Sequence, residues 1–422
     1  MADPHVAVFV QIGGADIRAG DLWSHRRRGA ESATFAYAPS YLGRPDAYAL
    51  DPGLPLVTGQ LQTRDGQRIF GAFSDCAPDR WGKTLVDRAE RRAADAAGRT
   101  ERSLGEIDYL LGARDDMRQG ALRFRQPTGD GEFLAPPETG IPALVDLPEL
   151  LSAAERAERD EEIDADLALL LNGGSSLGGA RPKAHVIDER GRPAIAKFPS
   201  PAADSWDVMR WEAVALDLAA AAGIEVPAKQ LLLISGRAVL VVERFDRTAE
   251  GARLGYISAM SMLEAGDGSR GGYLEIADAI ERESPDPTDD LAELWRRIAF
   301  SILISNTDDH LRNHGFLRRS EAGWSLAPAF DLNPDPAPGP KELSTAIDFD
   351  RHEARLETLV EVAAEFRVGA TAAGRIIGEV SGATSRWRQV ATKHGLSAAA
   401  QTQMAPAFEA QAAEAQALAA SP

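Results

Sequence analysis

Short apolar runs bounded by turn residues alternate with helical patterns along this chain. The runs of strand length predict β-strands at residues 6–13, 184–188, 193–198, 230–234, 237–245 and 323–326. Apolar positions at helical spacing, with start and stop residues, predict helices at 79–98, 103–118, 146–158, 160–171, 208–223, 289–305, 357–366 and 371–379. Strands therefore dominate the middle of the chain, and helices dominate the part that follows about residue 255.

This order of elements predicts an α+β fold with three regions. Residues 126–142 are rich in Pro, Gly and acidic residues, which is typical of a linker. We therefore predict a small N-terminal α/β subdomain at 1–125, a β-rich lobe with one inserted helix at 126–250, and an α-helical lobe at 251–422.

Composition and charge exclude several classes of protein. The formal net charge of −18 opposes DNA binding by the chain alone. The single cysteine, Cys76, excludes an intrachain disulfide and a Cys-rich zinc site, and we interpret it as a buried, inert thiol. No run approaches the roughly 20 apolar residues of a membrane span, and the first residues do not resemble a signal peptide. We expect no membrane association and a cytoplasmic location.

A glycine-rich segment, Asn172 to Lys183, lies between a predicted helix and a predicted strand. Its glycines allow backbone N–H groups to approach phosphate oxygens. It lacks the Gly-Lys-Ser/Thr ending of a Walker A motif, and by itself it is also compatible with a flexible turn. The next hairpin ends in Lys197, which could contact a nucleotide phosphate or lie at the surface. Glu212, on the following helix, could be the partner of that lysine or a solvated residue.

The polar segment at residues 305–316, SNTDDHLRNHGF, follows an apolar helix. Asp308 and Asn313 have the spacing of a kinase catalytic base and its metal-binding Asn. His310, His314 and Asp309 suggest zinc as an alternative, but a hard-oxygen Mg²⁺ site explains more residues. Asp331, next to Phe330, occupies the place of a second kinase metal ligand, although a helix N-cap or a turn would also suit it.

These motifs closely resemble the HipA family, the kinase toxins of bacterial type II toxin–antitoxin modules. The resemblance covers nearly the whole chain and rests on PDRWGK (78–83), SSLGGARPK (175–183), VERFDR (242–247), NTDDHLRNHGF (306–316) and AFDLNP (329–334). It implies a protein-kinase-like core with two lobes that uses ATP and Mg²⁺ and transfers phosphate to a protein serine or threonine.

The resemblance also implies a role for each site residue. Asp308 would be the catalytic base, Asn313 and Asp331 the Mg²⁺ ligands, and Ser176 the autophosphorylated serine, with Ser175 beside it as the alternative. The residues implied to bind ATP are Ser176, Gly178, Gly179, Ala180, Lys197, Glu243, Phe245, His310 and Arg312, of which Glu243 and Phe245 would form the adenine hinge.

Two macromolecular partners follow from the same resemblance. One is a protein substrate, which is an aminoacyl-tRNA synthetase in the best-known case. The other is a HipB-like helix-turn-helix antitoxin, through which the kinase would reach operator DNA.

Two other functions remain open from the sequence. A small-molecule kinase of the aminoglycoside phosphotransferase type usually has a histidine two residues before its catalytic Asp, where this chain has Asn306. A non-catalytic corepressor acting with a DNA-binding antitoxin is the other alternative. The presence of Asp308, Asn313 and Asp331 argues against a loss of catalysis.

Overall fold

The chain divides into two compact units. The computed structural model describes residues 4–27, 29–128, 131–134, 141–173, 181–266, 268–269 and 271–419. Residues 1–203 and 234–266 form the first unit, and residues 204–233 and 267–422 form the second. The boundaries predicted from the sequence, at 125 and 250, stay a prediction.

The first unit begins with a five-stranded antiparallel sheet in the order β4-β3-β2-β1-β5. Its strands are β1 (His5–Ile12), β2 (Ala15–Arg27), β3 (Ala30–Tyr37), β4 (Gln60–Gln62) and β5 (Leu122–Arg125). Alternate residues of β1 are directed into the core, where Val6, Val8 and Val10 are buried. The sequence predicted β1 alone among these five strands.

The helices of the first unit are mostly short. They are α1 (Pro39–Leu42), α2 (Gly71–Cys76), α3 (Arg80–Ala96), α4 (Glu106–Gly112), α5 (Leu147–Glu158), α6 (Asp164–Gly173) and α8 (Ala259–Met262). The prediction of a helix at 79–98 is confirmed, since α3 begins after Asp79. The helix predicted at 103–118 is wrong in length, because α4 ends at Gly112. Cys76 is buried, as expected, and burial raises the pKa of its thiol to about 12.

A second sheet in this unit follows the glycine-rich segment. It contains β6 (Lys183–Ile187), β7 (Pro193–Lys197) and β9 (Arg237–Glu243), and β7 pairs antiparallel with both β6 and β9. Two further strands are β8 (Lys229–Ile234), which spans the boundary between the units, and β10 (Gly255–Ser258). The strands predicted between residues 184 and 245 are confirmed within one or two residues.

The second unit is mainly helical and is built around one apolar helix, α10 (Pro287–Leu303). The other helices are α7 (Val208–Ala221), α9 (Tyr273–Glu283), α11 (Leu356–Glu361), α12 (Ala370–Thr384), α13 (Trp387–Lys393), α14 (Ala398–Glu409) and α15 (Ala412–Ala419). Helix α10 packs against α9, α11, α12 and α14, and its residues Leu294, Trp295 and Ile298 are buried. A hairpin of β11 (Gly315–Ser320) and β12 (Gly323–Leu326) follows α10.

A buried ion pair joins two of the motifs within the first unit. Lys183, the last residue of the glycine-rich segment, places its Nζ 2.5 Å from Oδ2 of Asp79. The other oxygen of Asp79 accepts a hydrogen bond from the Gly82 N–H and so caps α3. Both side chains are almost fully buried. The Asp79 carboxylate therefore both caps α3 and pairs with the Lys183 ammonium group.

We predict that Asp79→Asn lowers the free energy of unfolding by about 3 kcal/mol, because it removes the charge that compensates a buried ammonium group. The double variant Asp79→Asn/Lys183→Met should recover most of that loss. Urea unfolding of the three proteins measures both effects. A double variant no more stable than the single one would show that the ion pair is not the source of the loss.

Candidate functional site

The polar segment predicted to be catalytic begins at a fixed point at the end of α10. Ser305 adopts a left-handed backbone conformation with φ +53°, which turns the chain after the helix. Its hydroxyl donates to the Ala407 carbonyl oxygen at 2.9 Å, and its N–H donates to the Ile302 carbonyl oxygen. The loop that carries the candidate residues therefore starts from the rigid core of the second unit.

Asp308 and Asn313 lie together in this loop. Asn313 Nδ2 donates to the main-chain oxygen of Asp308 at 3.0 Å, and the His310 N–H donates to the same oxygen at 2.9 Å. A short 3₁₀ helix, Leu311–Asn313, closes the loop. The Asp308 residue is exposed, whereas Asn313 is only 8% exposed. The amide nitrogen of Asn313 is thus held by the loop, and its oxygen makes no hydrogen bond within the described part of the chain, which suits a hard cation.

Asp309 holds the loop from the inside. Its carboxylate accepts hydrogen bonds from the hydroxyls of Tyr273 (2.6 Å) and Ser301 (3.0 Å), and His314 Nε2 lies 3.1 Å from it. Its main-chain oxygen accepts from Thr345 Oγ1 at 2.6 Å. Burial raises the pKa of Asp309, but the charge of the adjacent His314 and the hydrogen bonds from Tyr273 and Ser301 outweigh it and hold the pKa below its usual range.

The zinc alternative involved this same residue with His310 and His314. Asp309 and His314 contact each other, and Asp309 is also bound by Tyr273 and Ser301. In the described ranges, no group of three or more His, Cys, Asp or Glu side chains is placed to hold a metal ion. We interpret Asp309 as an anchor of the loop, a role that the sequence analysis did not predict.

Asp331 is connected to this loop through two asparagines. Asp331 has φ +58°, an uncommon conformation for a residue other than glycine. Asn333 Nδ2 donates to its main-chain oxygen and to Oδ1, both at 3.2 Å. The Asn333 N–H donates to Oδ1 of Asn306 at 3.1 Å, and Asn306 is only 1% exposed. Asn306 therefore joins the segment of Asp308 to the segment of Asp331.

The remaining predicted residues fall into three groups. His310 and Arg312 lie half-buried in the loop of the second unit. In the first unit, Lys197 is the last residue of β7, and Glu243 is the last residue of β9. The Glu243 carboxylate lies 2.5 Å from Arg192 Nη1. The centre of the Phe245 ring lies 6.2 Å from that of Tyr256. Ser176, Gly178, Gly179 and Ala180 lie outside the described residues, as does Ser175. The ATP-binding roles stay predictions.

Comparison with known proteins identifies the fold and then the family. The chain matches the HipA toxin of Shewanella oneidensis MR-1, solved in a toxin–antitoxin complex with HipB and its operator DNA. The TM-score is 0.63 over 98% of this chain and 97% of that one, at 15% identity. The predicted α+β fold with a kinase-like core of two lobes is confirmed. The family model for the HipA-like C-terminal domain matches residues 175–387, half of the chain. The protein belongs to the HipA-like family.

Two curated relatives come from Sinorhizobium fredii. "Putative kinase Y4mE" is 25% identical over 333 residues, which are 71% of this chain and 71% of the relative. "Putative kinase Y4dM" is 35% identical over 95 residues, which are 22% of this chain and 23% of the relative. None of the helices in the described part of the chain has the length and apolar character that a bilayer crossing requires.

We predict that Asn306→Leu loosens the segment of Asp331, because the Asn333 N–H loses its acceptor. The free energy of unfolding should fall by about 1–3 kcal/mol, and amide hydrogen exchange should speed up in a peptide covering residues 329–335. Asn306→Asp retains an acceptor oxygen and should slow that exchange again. Equal exchange in the Leu and Asp variants would refute the link through Asn333.

We predict that Asp309 contributes to stability in a pH-dependent way. Its folded-state pKa lies below the ordinary value of 3.8, so its contribution is complete above that value and is lost as the pH falls through the lowered pKa. Asp309→Asn should be less stable than the wild type near neutral pH, and the difference should shrink at acidic pH. Chemical unfolding between pH 2 and 7 tests this, and a constant difference would contradict it.

Proposed function

We propose that this protein is an ATP- and Mg²⁺-dependent serine/threonine protein kinase that acts as the toxin of a toxin–antitoxin module. One observation carries the proposal: hydrogen bonds connect the segments of Asp308, Asn313 and Asp331 in the second unit. A base and two oxygen ligands are what phosphoryl transfer from Mg·ATP requires of a protein. The family and the kinase-like fold support the same conclusion.

The metal proposal fits the donor set. Asn313 and Asp331 would hold Mg²⁺ through an amide oxygen and a carboxylate oxygen, which are the ligands that this ion prefers. When bound, Mg²⁺ would neutralise charge on the phosphates. Asp308, exposed at the start of the loop, would orient the acceptor hydroxyl and take its proton. The main-chain bonds from Asn313 and His310 to the Asp308 oxygen would hold this base in place.

The nucleotide would be bound by the residues that the family resemblance indicates. Lys197 would neutralise phosphate charge, and Glu243 and Phe245 would meet the adenine. The glycine-rich segment would supply N–H groups to the phosphates. The full proposed set is Ser176, Gly178, Gly179, Ala180, Lys197, Glu243, Phe245, His310 and Arg312.

Autophosphorylation would limit this activity. We propose Ser176 as the modified residue, with Ser175 as the alternative. A phosphate there would add about −1.5 to −2 charges where the anionic groups of ATP must bind. Repulsion at such short range would lower the affinity for ATP. The kinase would thereby switch itself off.

The partners that we propose are a protein substrate and a basic antitoxin. An aminoacyl-tRNA synthetase is the substrate suggested by the family resemblance. The similar HipA of Shewanella oneidensis is a precedent for a HipB-like antitoxin and operator DNA. The net charge of −18 supports recruitment to DNA through a basic helix-turn-helix partner, since the kinase alone would be repelled.

We predict that Asp308→Asn lowers phosphoryl transfer by about 10²–10⁴-fold, because the general base is lost. The side chain is exposed, so the fold and the affinity for Mg·ATP should remain. Isothermal titration calorimetry measures binding, and mass spectrometry after incubation with Mg·ATP measures phosphate on Ser175 or Ser176. Asp278→Asn, an exposed aspartate on α9 of the same unit, is the matched control.

Two results would contradict the proposal. A folded Asp308→Asn protein with wild-type turnover would remove Asp308 from catalysis. A wild-type protein that binds no Mg·ATP would remove the kinase function and favour a corepressor. Phosphate transfer to aminoglycosides, with none to protein, would favour the small-molecule kinase.

A further inference from the structure

A hairpin-like segment at residues 341–354, which we call the acidic hairpin, follows the Asp331 segment in the second unit. Its two sides are joined by main-chain bonds from Leu343 N to His352 O (2.7 Å) and from Ile347 N to Arg351 O (2.8 Å). The Ala354 N–H donates to the Lys341 oxygen at 2.9 Å. These bonds make the segment an ordered hairpin with a defined tip.

The base of the acidic hairpin is bound to the candidate catalytic loop. Ser344 N and Oγ donate to the Thr307 oxygen at 2.9 and 3.0 Å, and Thr345 Oγ1 donates to the Asp309 oxygen at 2.6 Å. Thr307 and Asp309 are the two neighbours of Asp308 in the chain. A molecule held by the hairpin is therefore held in a fixed relation to Asp308.

The tip presents a large apolar side chain to solvent. Phe349 is 88% exposed, more than any other large apolar residue in the part of the chain that the structure describes. Its φ of +38° is a strained conformation for an aromatic residue. An exposed, strained aromatic residue is costly to keep, and such residues are concentrated at functional sites.

The charges along the acidic hairpin are unbalanced. Asp350 lies next to Phe349 at the tip, and Glu342 and Glu353 face each other at the base. All three are exposed and form no salt bridge within the described residues. Arg351 is paired with Asp348 and Glu361, so it does not neutralise them. The hairpin therefore carries one exposed ring with an acidic neighbour at its tip and two further carboxylates at its base, of which Glu353 lies within electrostatic reach of Arg355.

We infer that the acidic hairpin docks the protein substrate of the proposed kinase, with Phe349 inserted into an apolar pocket that is rimmed by Lys or Arg. The inference rests on the proposed function. Phe349 is four positions after Thr345, so their Cα atoms lie at most about 14 Å apart. A docked protein would thus be anchored close to the loop of Asp308. A second copy of this chain fits poorly, because its net charge is −18.

The test compares variants that keep the turn intact. Phe349→Asn removes the ring, and asparagine accepts a positive φ more readily than phenylalanine, so the fold is retained. Phe349→Tyr keeps an aromatic ring and serves as the rescue variant. Leu233→Thr, another exposed apolar residue of the second unit, is the matched control. The probe is a dialysed bacterial protein extract with labelled Mg·ATP, and calorimetry measures the affinity for Mg·ATP.

We expect Phe349→Asn to lower the initial rate of protein labelling at limiting extract by about tenfold or more, as expected for loss of an aromatic anchor. The affinity for Mg·ATP should be unchanged, and Phe349→Tyr and Leu233→Thr should label at the wild-type rate. Added salt should slow protein labelling less in the double variant Asp350→Asn/Glu353→Gln than in the wild type, because fewer charges attract the substrate.

Two outcomes would overturn the docking inference while the kinase proposal stands. They are wild-type labelling by Phe349→Asn and an equal loss in Leu233→Thr. A wild-type protein that binds no Mg·ATP, or that binds it but labels no protein in the extract, would instead contradict the proposed function.

Discussion

The candidate site depends on one buried carboxylate, that of Asp309. It receives hydroxyl groups from α9 through Tyr273 and from α10 through Ser301, and it lies beside His314. A buried carboxylate is tolerated only when its charge is compensated in this way. Because the anchor is fixed by two core helices, the exposed neighbour Asp308 is carried on a rigid support. Preorganisation of this kind is what a catalytic base requires.

Binding of Mg²⁺ by the predicted ligands would require both this rigid loop and the bound nucleotide. The proposed set contains a single carboxylate, Asp331, and one amide, Asn313. Mg²⁺ keeps several waters and is usually bound by one or two carboxylates together with substrate phosphates. Under the proposed function, the site would therefore bind Mg²⁺ weakly without ATP and become complete only when the phosphates arrive.

Much of the fold was predictable where periodicity was strong, and the failures have physical causes. The apolar pattern located β6, β7, α7 and α10 to within a few residues. Strand β2 was missed because its sequence, ADIRAGDLWSHRR, contains few apolar residues at alternate positions. The helix predicted to reach residue 118 is α4, which ends at Gly112. The buried guanidinium of Arg118 donates hydrogen bonds to the main-chain oxygens of Leu110 and Ala113. A longer helix would need these oxygens as acceptors for its own N–H groups.

The proximity of candidate residues was predictable where it depends on spacing along the chain, and not where it depends on contacts across the fold. Asp308 and Asn313 are five residues apart, and their local hydrogen bond agrees with that spacing. From the sequence, Asn306 was notable only because kinases of the aminoglycoside phosphotransferase type usually have a histidine at this position. Its partner, Asn333, is 27 residues away, and the contact between them exists only because the chain returns after β12. Since the same contact links the segment of the proposed base to the segment of the proposed second metal ligand, the geometry of the cluster is a tertiary property that local sequence patterns do not contain.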